Sequence, residues 1–580
     1  MNRALFLSTA VAFGFLVVIV RLGNLMLLDH ERLWAKAQSQ YQREKQIDVK
    51  RGVIYDRRGR ELAVNLDEES LYCDPTEVAS PRTAALEISS VTGMKYSDVL
   101  EKVSQSGGKK HFVWLKRKLG DDEVLKLKNL APGGFGFVNE TRRYYPNGSL
   151  ASHVLGFVNV DNKAEGGVER MYESTLTNKG GKVVLERDAT GKVLSQGLEL
   201  ESKGNNLVLT IDEGLQYIAE TALDEAMRKW RADSASVIMM DPFTGDILAM
   251  ANRPGYDPND PGKTGPEGRK NRAIMDLYEP GSTFKIVAGT SAIETGAVSL
   301  GSMFDCSKGY IEAGGRKYHD VHKLGVIPFE EIFQKSSNVG AIQVAMRVGA
   351  GKYYAYAKKF GFGQKTGIDL PWEAAGRLPD LKRFNGASLP SMAIGYGVAV
   401  TPLQILRAYS AVANGGYLVT PHVVAQILSP DGEVISSFHG TRTRILKPET
   451  AATFKRIFSL VTEDGGTAKQ AAISGNHVSG KTGTSRLFDP RTGRYSGLYS
   501  SSFVGFVPEH NPRIAMIVVF KGAKGEVYGG VVAGPVFSEI AEKAFAYMNV
   551  PRDDAFKNNL VYLGDENQNG VKGAPQWSRN

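Results

Sequence analysis

Cysteine is nearly absent: Cys73 and Cys306 are the only two in 580 residues. At most one bridge can join them, so neither a disulfide framework nor a cysteine-rich zinc site is available. A basic run with interleaved aromatics is also missing, which argues against nucleic acid despite a net charge of +9. The positive balance suits an anionic partner or a membrane surface instead. Long apolar runs are scarce too. One stretch qualifies: Ala4 to Val20 is apolar apart from Ser8 and Thr9, and apolar character resumes after Arg21 through Leu28. With some tilt that length spans a bilayer. A cleaved signal peptide starts similarly, but no small-x-small site precedes a turn here. The expectation is an uncleaved anchor over residues 1–28, with the chain beyond it outside the cytoplasm, because only Met1, Asn2 and Arg3 precede the span.

What is present is an ordinary globular composition, 42% hydrophobic and 23% charged, in a chain too long for one core. Asp29 to Glu44 is charged and helix-prone and reads as a stalk. Arg51 to Ala63 alternates around Val53 and Tyr55 and then turns at Arg57 to Gly59, which predicts a hairpin. Asp121 to Leu130 has amphipathic helical spacing. Nothing between residues 40 and 205 assembles a nucleophile, a base and an orienting group, and His153 lies in an apolar stretch where a structural role is expected. Residues 29–205 therefore read as a non-catalytic α/β module.

A second domain is expected over 206–550. Leu207 to Ile211 predicts a strand leading to a helix cap at Asp212, and Leu215, Ile218, Ala219, Ala222, Leu223 and Met227 keep helical spacing. Ala235 to Met240 and Ile247 to Ala251 flank a Pro/Gly turn and predict a hairpin. Ser502 to Val507 and Ile514 to Phe520 predict two more strands, and Val536 to Met548 a closing helix. Strands at both ends with helices between them imply one antiparallel sheet packed by helices. The last stretch, 551–580, is polar without an apolar period and reads as a tail.

Three elements of this domain carry chemistry. In Glu279-Pro280-Gly281-Ser282-Thr283-Phe284-Lys285 a helix pattern follows Ser282, which predicts a serine at a helix start with Lys285 one turn on. Alone the pattern is common; Ser106-Gly107-Gly108-Lys109 repeats it in a polar run. The second element is Ser336-Ser337-Asn338, and the third is Lys481-Thr482-Gly483-Thr484. Together they offer a nucleophile, an amine base, a second hydroxyl, an amide and a strand bearing a cation and hydroxyls, the groups acyl transfer needs. An ordinary lysine is protonated at neutral pH, so Lys285 needs burial or a cationic neighbour such as Lys481. Intervals of 54 and 145 residues separate the three, so pattern alone does not bring them together.

In that order the three motifs resemble the signatures of penicillin-recognising serine enzymes. Tyr278 to Gly281, the Arg51 to Ala63 stretch and the Asp241 to Met250 hairpin narrow the likeness to class B penicillin-binding proteins, monofunctional peptidoglycan transpeptidases. Arg143 to Glu169 is similar to the division (septal) type. The resemblance implies a serine-β-lactamase-like α/β domain preceded by a single membrane helix and an elongated, dimerisation-type pedestal. It implies that Ser282 is acylated by a stem peptide's penultimate D-alanine, that Lys285 takes its proton, and that Ser336 passes one to the leaving amine. Asn338 would bind the substrate backbone, Lys481 support the electrostatics, and Thr482 and Thr484, flanking Gly483, hold the terminal carboxylate. Backbone N–H groups of Ser282 and Thr484 would form the oxyanion hole. The implied partners are stem peptides, β-lactams, a membrane glycosyltransferase and other division proteins, with no cofactor and no metal. The implied location is the inner membrane, with the bulk of the chain on the periplasmic side.

Rivals are weighed on the same residues. Gly475 to Thr482 satisfies the phosphate-loop pattern in full, but alanines rather than a strand precede it, and Thr482-Gly483-Thr484 starts a helix poorly. Lys263-Thr264-Gly265 and Lys365-Thr366-Gly367 repeat the third motif; only Lys481 is followed by a strand pattern at Ser502. His319-Asp320-Val321-His322 reads as a polar loop rather than a metal site. A D,D-carboxypeptidase with the same site, and a mainly scaffolding division protein, remain open alternatives.

Overall fold

The computed structural model describes residues 2–29, 31, 42–46, 50–104, 112–130, 133–177, 182–187, 193–196, 203–489 and 491–552. Most of the expected stalk, residues 553–580 of the expected tail and the Ser106–Lys109 run lie outside the described residues. The chain divides into two compact units, Met1–Arg51 with Thr177–Gly204, and Gly52–Leu176 with Asn205–Asn580.

The first unit holds helix α1 (Asn2–Gly23), which continues into a π-helical turn at Asn24–Leu28. Its segment Phe6–Met26 is long and apolar enough to cross a membrane. Phe6, Phe13 and Ile19 are all exposed, an outward apolar surface that lipid accommodates and water does not. A three-stranded antiparallel sheet completes the unit, with Lys182–Arg187 between Gln42–Gln46 and Val193–Gln196.

The second unit contains two larger sheets. Strands β1 (Ile54–Tyr55) and β2 (Glu61–Cys73) form the expected hairpin, and β2 goes on to pair with β3 (Val113–Leu119) and β4 (Phe135–Tyr144). β5 (Asn206–Leu209) lies parallel to β1. Helix α2 (Glu213–Trp230) follows, capped by Asp212, whose carboxylate accepts from the Gly214 and Leu215 amides. Then come β6 (Ser234–Met240) and β7 (Ile247–Arg253), helix α3 (Lys285–Glu294), helices α4 (Phe329–Gln334) and α5 (Asn338–Val348), and helix α6 (Pro402–Ala413). β8 (Val424–Leu428) and β9 (Val434–Ser437) precede β10 (Ser479–Asp489), β11 (Arg494–Val507), β12 (Ile514–Lys521) and the closing helix α7 (Gly534–Met548).

The mixed sheet runs β9-β8-β5-β1-β2-β3 with β4 also on β2. It therefore draws strands from both sides of residue 205, so no sheet boundary falls there. The other sheet is antiparallel throughout, in the order β7-β6-β12-β11-β10. Alternate residues of its central strands point to opposite faces. Val237 and Met239 pack with α2 and α7, while Ile238 and Met240 join the core that includes Phe284 and α6. Both faces are covered, which is why β6 is buried along its whole length. α6 is buried all round except at Arg407, as expected of a helix running through a core. β7 and β10 are the two end strands of this sheet, and the edge of β10 positions the site.

Candidate active site

Ser282 does not open a regular helix. Gly281–Phe284 forms a 3-10 turn, with the Lys285 N–H bonded to the Ser282 carbonyl, and α3 begins at Lys285. The cause is local: Gly281 has φ +55°, a conformation costly for any residue with a Cβ, and a Cβ there would meet the Thr484 carbonyl at 2.9 Å. The turn is thus pressed against the open edge of β10. Phe284 anchors it from below, fully buried with its ring centroid 4.7 Å from that of Phe362; burying such a side chain contributes roughly 1.5–3 kcal/mol. The Ser485 hydroxyl donates to the Glu279 carbonyl at 2.5 Å, tying strand to turn once more. Ser282 itself is half-buried, and its hydroxyl has no hydrogen-bond partner among the described residues.

Lys285 and Lys481 are both fully buried. The Lys285 amine donates to the Ser336 carbonyl at 2.6 Å and to Asn338 Oδ1 at 2.9 Å, and lies 3.3 Å from Ser336 Oγ. The Lys481 amine donates to the same Ser336 Oγ at 2.9 Å and to Thr482 Oγ1 at 3.2 Å. Two amines thus converge on one hydroxyl, and among the described residues neither is paired with a carboxylate. Burial pushes Lys285 down to about 7, against a partial upward pull from Asp320. Burial, reinforced by Lys285, pushes Lys481 well below the usual lysine range. An amine lowered this far is a competent base near neutrality.

Ser336 has φ +58°, the left-handed region that a serine enters only under constraint. The constraint comes from Lys285 on one side and from the start of α5 on the other. Ser337 caps α5, accepting from the Gly340 amide. Asp320 supports that cap: one carboxylate oxygen accepts from Ser337 Oγ at 2.7 Å, and the other accepts from the Asn338 and Val339 amides. Sequence reasoning missed Asp320, which sits in the His319–His322 run weighed there only as a metal site. No group of three metal-ligating side chains occurs among the described residues.

On the edge strand, Gly483 pairs with Ser502 and Thr484 with Ser501. A Cβ at Gly483 would meet Ser502 Oγ at 2.4 Å and the Pro280 carbonyl at 3.0 Å, so only glycine lets the strand lie this close to the Ser282 turn. Thr482 Oγ1 contacts Thr467 Oγ1 at 3.0 Å, and Thr484 Oγ1 accepts from the Gly529 amide at 3.1 Å. The other two Lys-Thr-Gly triplets lie elsewhere. Lys263 is 83% exposed and ion-paired with Asp260, and Thr366 is tied to the Glu373 carboxylate. The phosphate-loop pattern also lacks its setting, because Lys481 and Thr482 sit inside β10 with no helix opening after them. Cys73 and Cys306 are free and buried. His153 is buried against the Gly268 carbonyl at 2.9 Å, and burial pushes it down to about 4.

Comparison with known proteins fits this geometry. Residues 235–542 match the penicillin-binding protein transpeptidase domain, and residues 46–209 the penicillin-binding protein dimerisation domain. The chain belongs to the class B penicillin-binding proteins. It is accordingly a serine D,D-transpeptidase of peptidoglycan. It is 33% identical to a probable peptidoglycan D,D-transpeptidase, PenA, of Neisseria meningitidis over 93% of this chain and 91% of the relative. It is 30% identical to the peptidoglycan D,D-transpeptidase FtsI of Escherichia coli, covering 98% and 94%, and 31% identical to stage V sporulation protein D of Bacillus subtilis, covering 97% and 88%. Its fold is similar to penicillin-binding protein 3 of Mycobacterium tuberculosis complexed with aztreonam, with TM-score 0.68 and 28% identity over 87% of this chain and 97% of that one.

Proposed function

We propose that Ser282 is the acylated nucleophile and that Lys285 is its base, in a reaction that crosslinks stem peptides during cell division. The observation carrying this is the shared Ser336 hydroxyl, held at 2.9 Å by Lys481 and 3.3 Å from Lys285. Neutral Lys285 takes the Ser282 proton as Oγ attacks the penultimate D-alanine carbonyl. The backbone N–H groups of Ser282 and Thr484 hold the developing oxyanion. As the peptide bond breaks, Ser336 delivers a proton to the departing D-alanine amine and is reprotonated through the two lysines. An acceptor amine then attacks the ester, its proton returns by the same route, and Ser282 is released. Asn338 and the hydroxyls of Thr482 and Thr484 bind the peptide backbone and terminal carboxylate, with Lys481 supporting the charge.

The domain reading that accompanies this is an anchor at 1–28, a pedestal at 29–205, a catalytic domain at 206–550 and a tail at 551–580. The catalytic domain would lie on the periplasmic face, where its substrate is, beside a membrane glycosyltransferase and other division proteins. The test is labelling of the full chain with a fluorescent penicillin. Wild type is expected to label covalently and Ser282→Ala to lose all label while keeping its circular-dichroism melt. Label surviving in Ser282→Ala refutes the nucleophile assignment.

A further inference from the structure

We propose that a cavity walled by Trp372, apart from the Ser282 cleft, is a second substrate site that takes the amino-sugar glycan of peptidoglycan. This rests on peptidoglycan being the substrate, whichever residues carry out the acyl transfer. The cavity holds about 420 Å³, within the range of roughly 300–1,000 Å³ that small-ligand sites occupy. One wall comes from the segment 153–167 and the other from the loops at 256–275 and 370–372. Neither Ser282 nor any residue of the Ser336–Asn338 and Lys481–Thr484 motifs lines it.

Trp372 singles this cavity out. It has φ +63°, a conformation that bulky residues avoid and glycine takes freely. It is nevertheless 54% exposed, whereas a tryptophan kept only to seal two chain segments together would be buried. The ring lies against Gly166, where a Cβ would come within 3.3 Å of it, and its centroid is 5.2 Å from the Arg170 guanidinium. Phe157 and Tyr256 continue the aromatic lining, their centroids 6.1 Å apart and their planes steeply inclined. Tyr256 is fixed, because its hydroxyl donates to the Ser152 carbonyl at 2.8 Å. A strained, exposed ring beside a preformed aromatic cavity points to binding.

The charges around these rings select the ligand. Glu165, Glu267, Arg269 and Lys270 line the cavity, two of each sign, and Lys270 is already paired with Asp276 at 2.7 Å. An anion would face two carboxylates. A cation would face Arg269 and find Arg170 already beside Trp372. A neutral ligand meets neither difficulty. Arg269 is held by the Pro261 and Thr264 carbonyls, which accept from its Nη1 at 2.7 and 2.9 Å. Its other nitrogens have no carboxylate partner among the described residues. Glu267 reaches Arg272 only at 3.5 Å, and Glu165 reaches Asn159 only at 3.5 Å. Donors and acceptors with capacity to spare, set around apolar rings, suit a sugar, whose hydroxyls and amides bond at the edge while its C–H faces pack on aromatics. A grip on the glycan away from the cleft raises the local concentration of its stem peptides.

The test is calorimetric titration of the full-length chain in detergent with glycan strands stripped of stem peptides, before and after acylation by benzylpenicillin. Saturable binding is expected in both states, since the cavity is separate from Ser282. Trp372→Gly is expected to bind at least about tenfold more weakly, the scale of losing an aromatic anchor. It should melt close to the wild-type temperature, because relief of backbone strain offsets the lost contacts. Glu165→Gln keeps the shape of the site and should weaken binding about 3- to 10-fold. Equal affinity in wild type and Trp372→Gly overturns the proposal, as does binding that acylation abolishes. A clearly lower melting temperature in Trp372→Gly, with wild-type affinity in Glu165→Gln, makes Trp372 a packing residue and overturns it too. If the tripeptide Glu-Trp-Lys binds and the glycan does not, the cavity is a protein-docking site and the glycan assignment falls. Failure of the chain to acylate counts against the catalytic reading alone, because the glycan titration does not depend on it.

Discussion

The molecule buries positive charge in two ways. Arg143, on β4, is 1% exposed and meets Glu169, 0% exposed, at 2.6 Å, with Asn65 taking a further guanidinium N–H at 3.2 Å. Lys285 and Lys481 are buried just as deeply and are given hydroxyls, an amide oxygen and backbone carbonyls, but no carboxylate among the described residues. A buried cation with an ionic partner keeps its charge and fixes two chain segments together. A buried cation without one yields its proton. Partner choice, not burial, separates the paired guanidinium from the amines whose affinity for a proton is lowered.

Two substitutions test that contrast. Lys285→Met is expected to slow β-lactam acylation by about 100- to 10,000-fold, the usual contribution of a positioned base, while unfolding free energy stays level or rises. Its lost partners, Ser336 and Asn338, are half-exposed and can turn to water. Denaturant unfolding beside acylation kinetics measures both, and a clear loss of stability would show Lys285 to be a structural charge after all. Arg143→Met is expected to do the reverse. It removes the Arg143 guanidinium from a fully buried carboxylate, a loss that costs about 3–5 kcal/mol, yet any protein that remains folded should acylate at the wild-type rate.

The contrast was only partly legible in the sequence. Elements whose cues are local were readable: the Asp212 cap with α2, the β6–β7 hairpin around its Pro/Gly turn, and the closing helix. Elements made by distant pairing were not. β1 is two residues long and lies parallel to β5 across some 150 positions, so the hairpin and the strand were each readable while their pairing into one mixed sheet was not. At the site, residue types announced Ser282, Lys285, Ser336 and Lys481, but their convergence depends on a strand edge and a turn that no interval encodes. The left-handed Ser336 carries no signal because serine, unlike glycine, does not advertise that conformation. Asp320 was invisible as a support since its partners lie 17 to 19 residues on, and the run around it read only as a polar loop.

The gentlest probe of the contrast is pH. With Lys285 lowered to about 7, acylation should fall about tenfold per unit on the acid side of that value, as the base is protonated. Stability should respond with the opposite cost. Lysine ordinarily titrates near 10.5, so between pH 7 and 10.5 the unfolded chain binds a proton that the folded Lys285 does not. Because the unfolded state binds more protons there, folded stability contributed by this site rises with pH across that window, by at most about 1.4 kcal/mol per unit for one group. Below pH 7 the full penalty of burying the charge is present and the slope vanishes. The difference in unfolding free energy between wild type and Lys285→Met should therefore change with pH inside the window and stay flat beneath it. The difference between wild type and Arg143→Met should show no such slope, since an arginine keeps its charge throughout. Parallel curves for the two variants from pH 6 to 9 would mean that both cations are held in the same state, and the distinction between them would be lost.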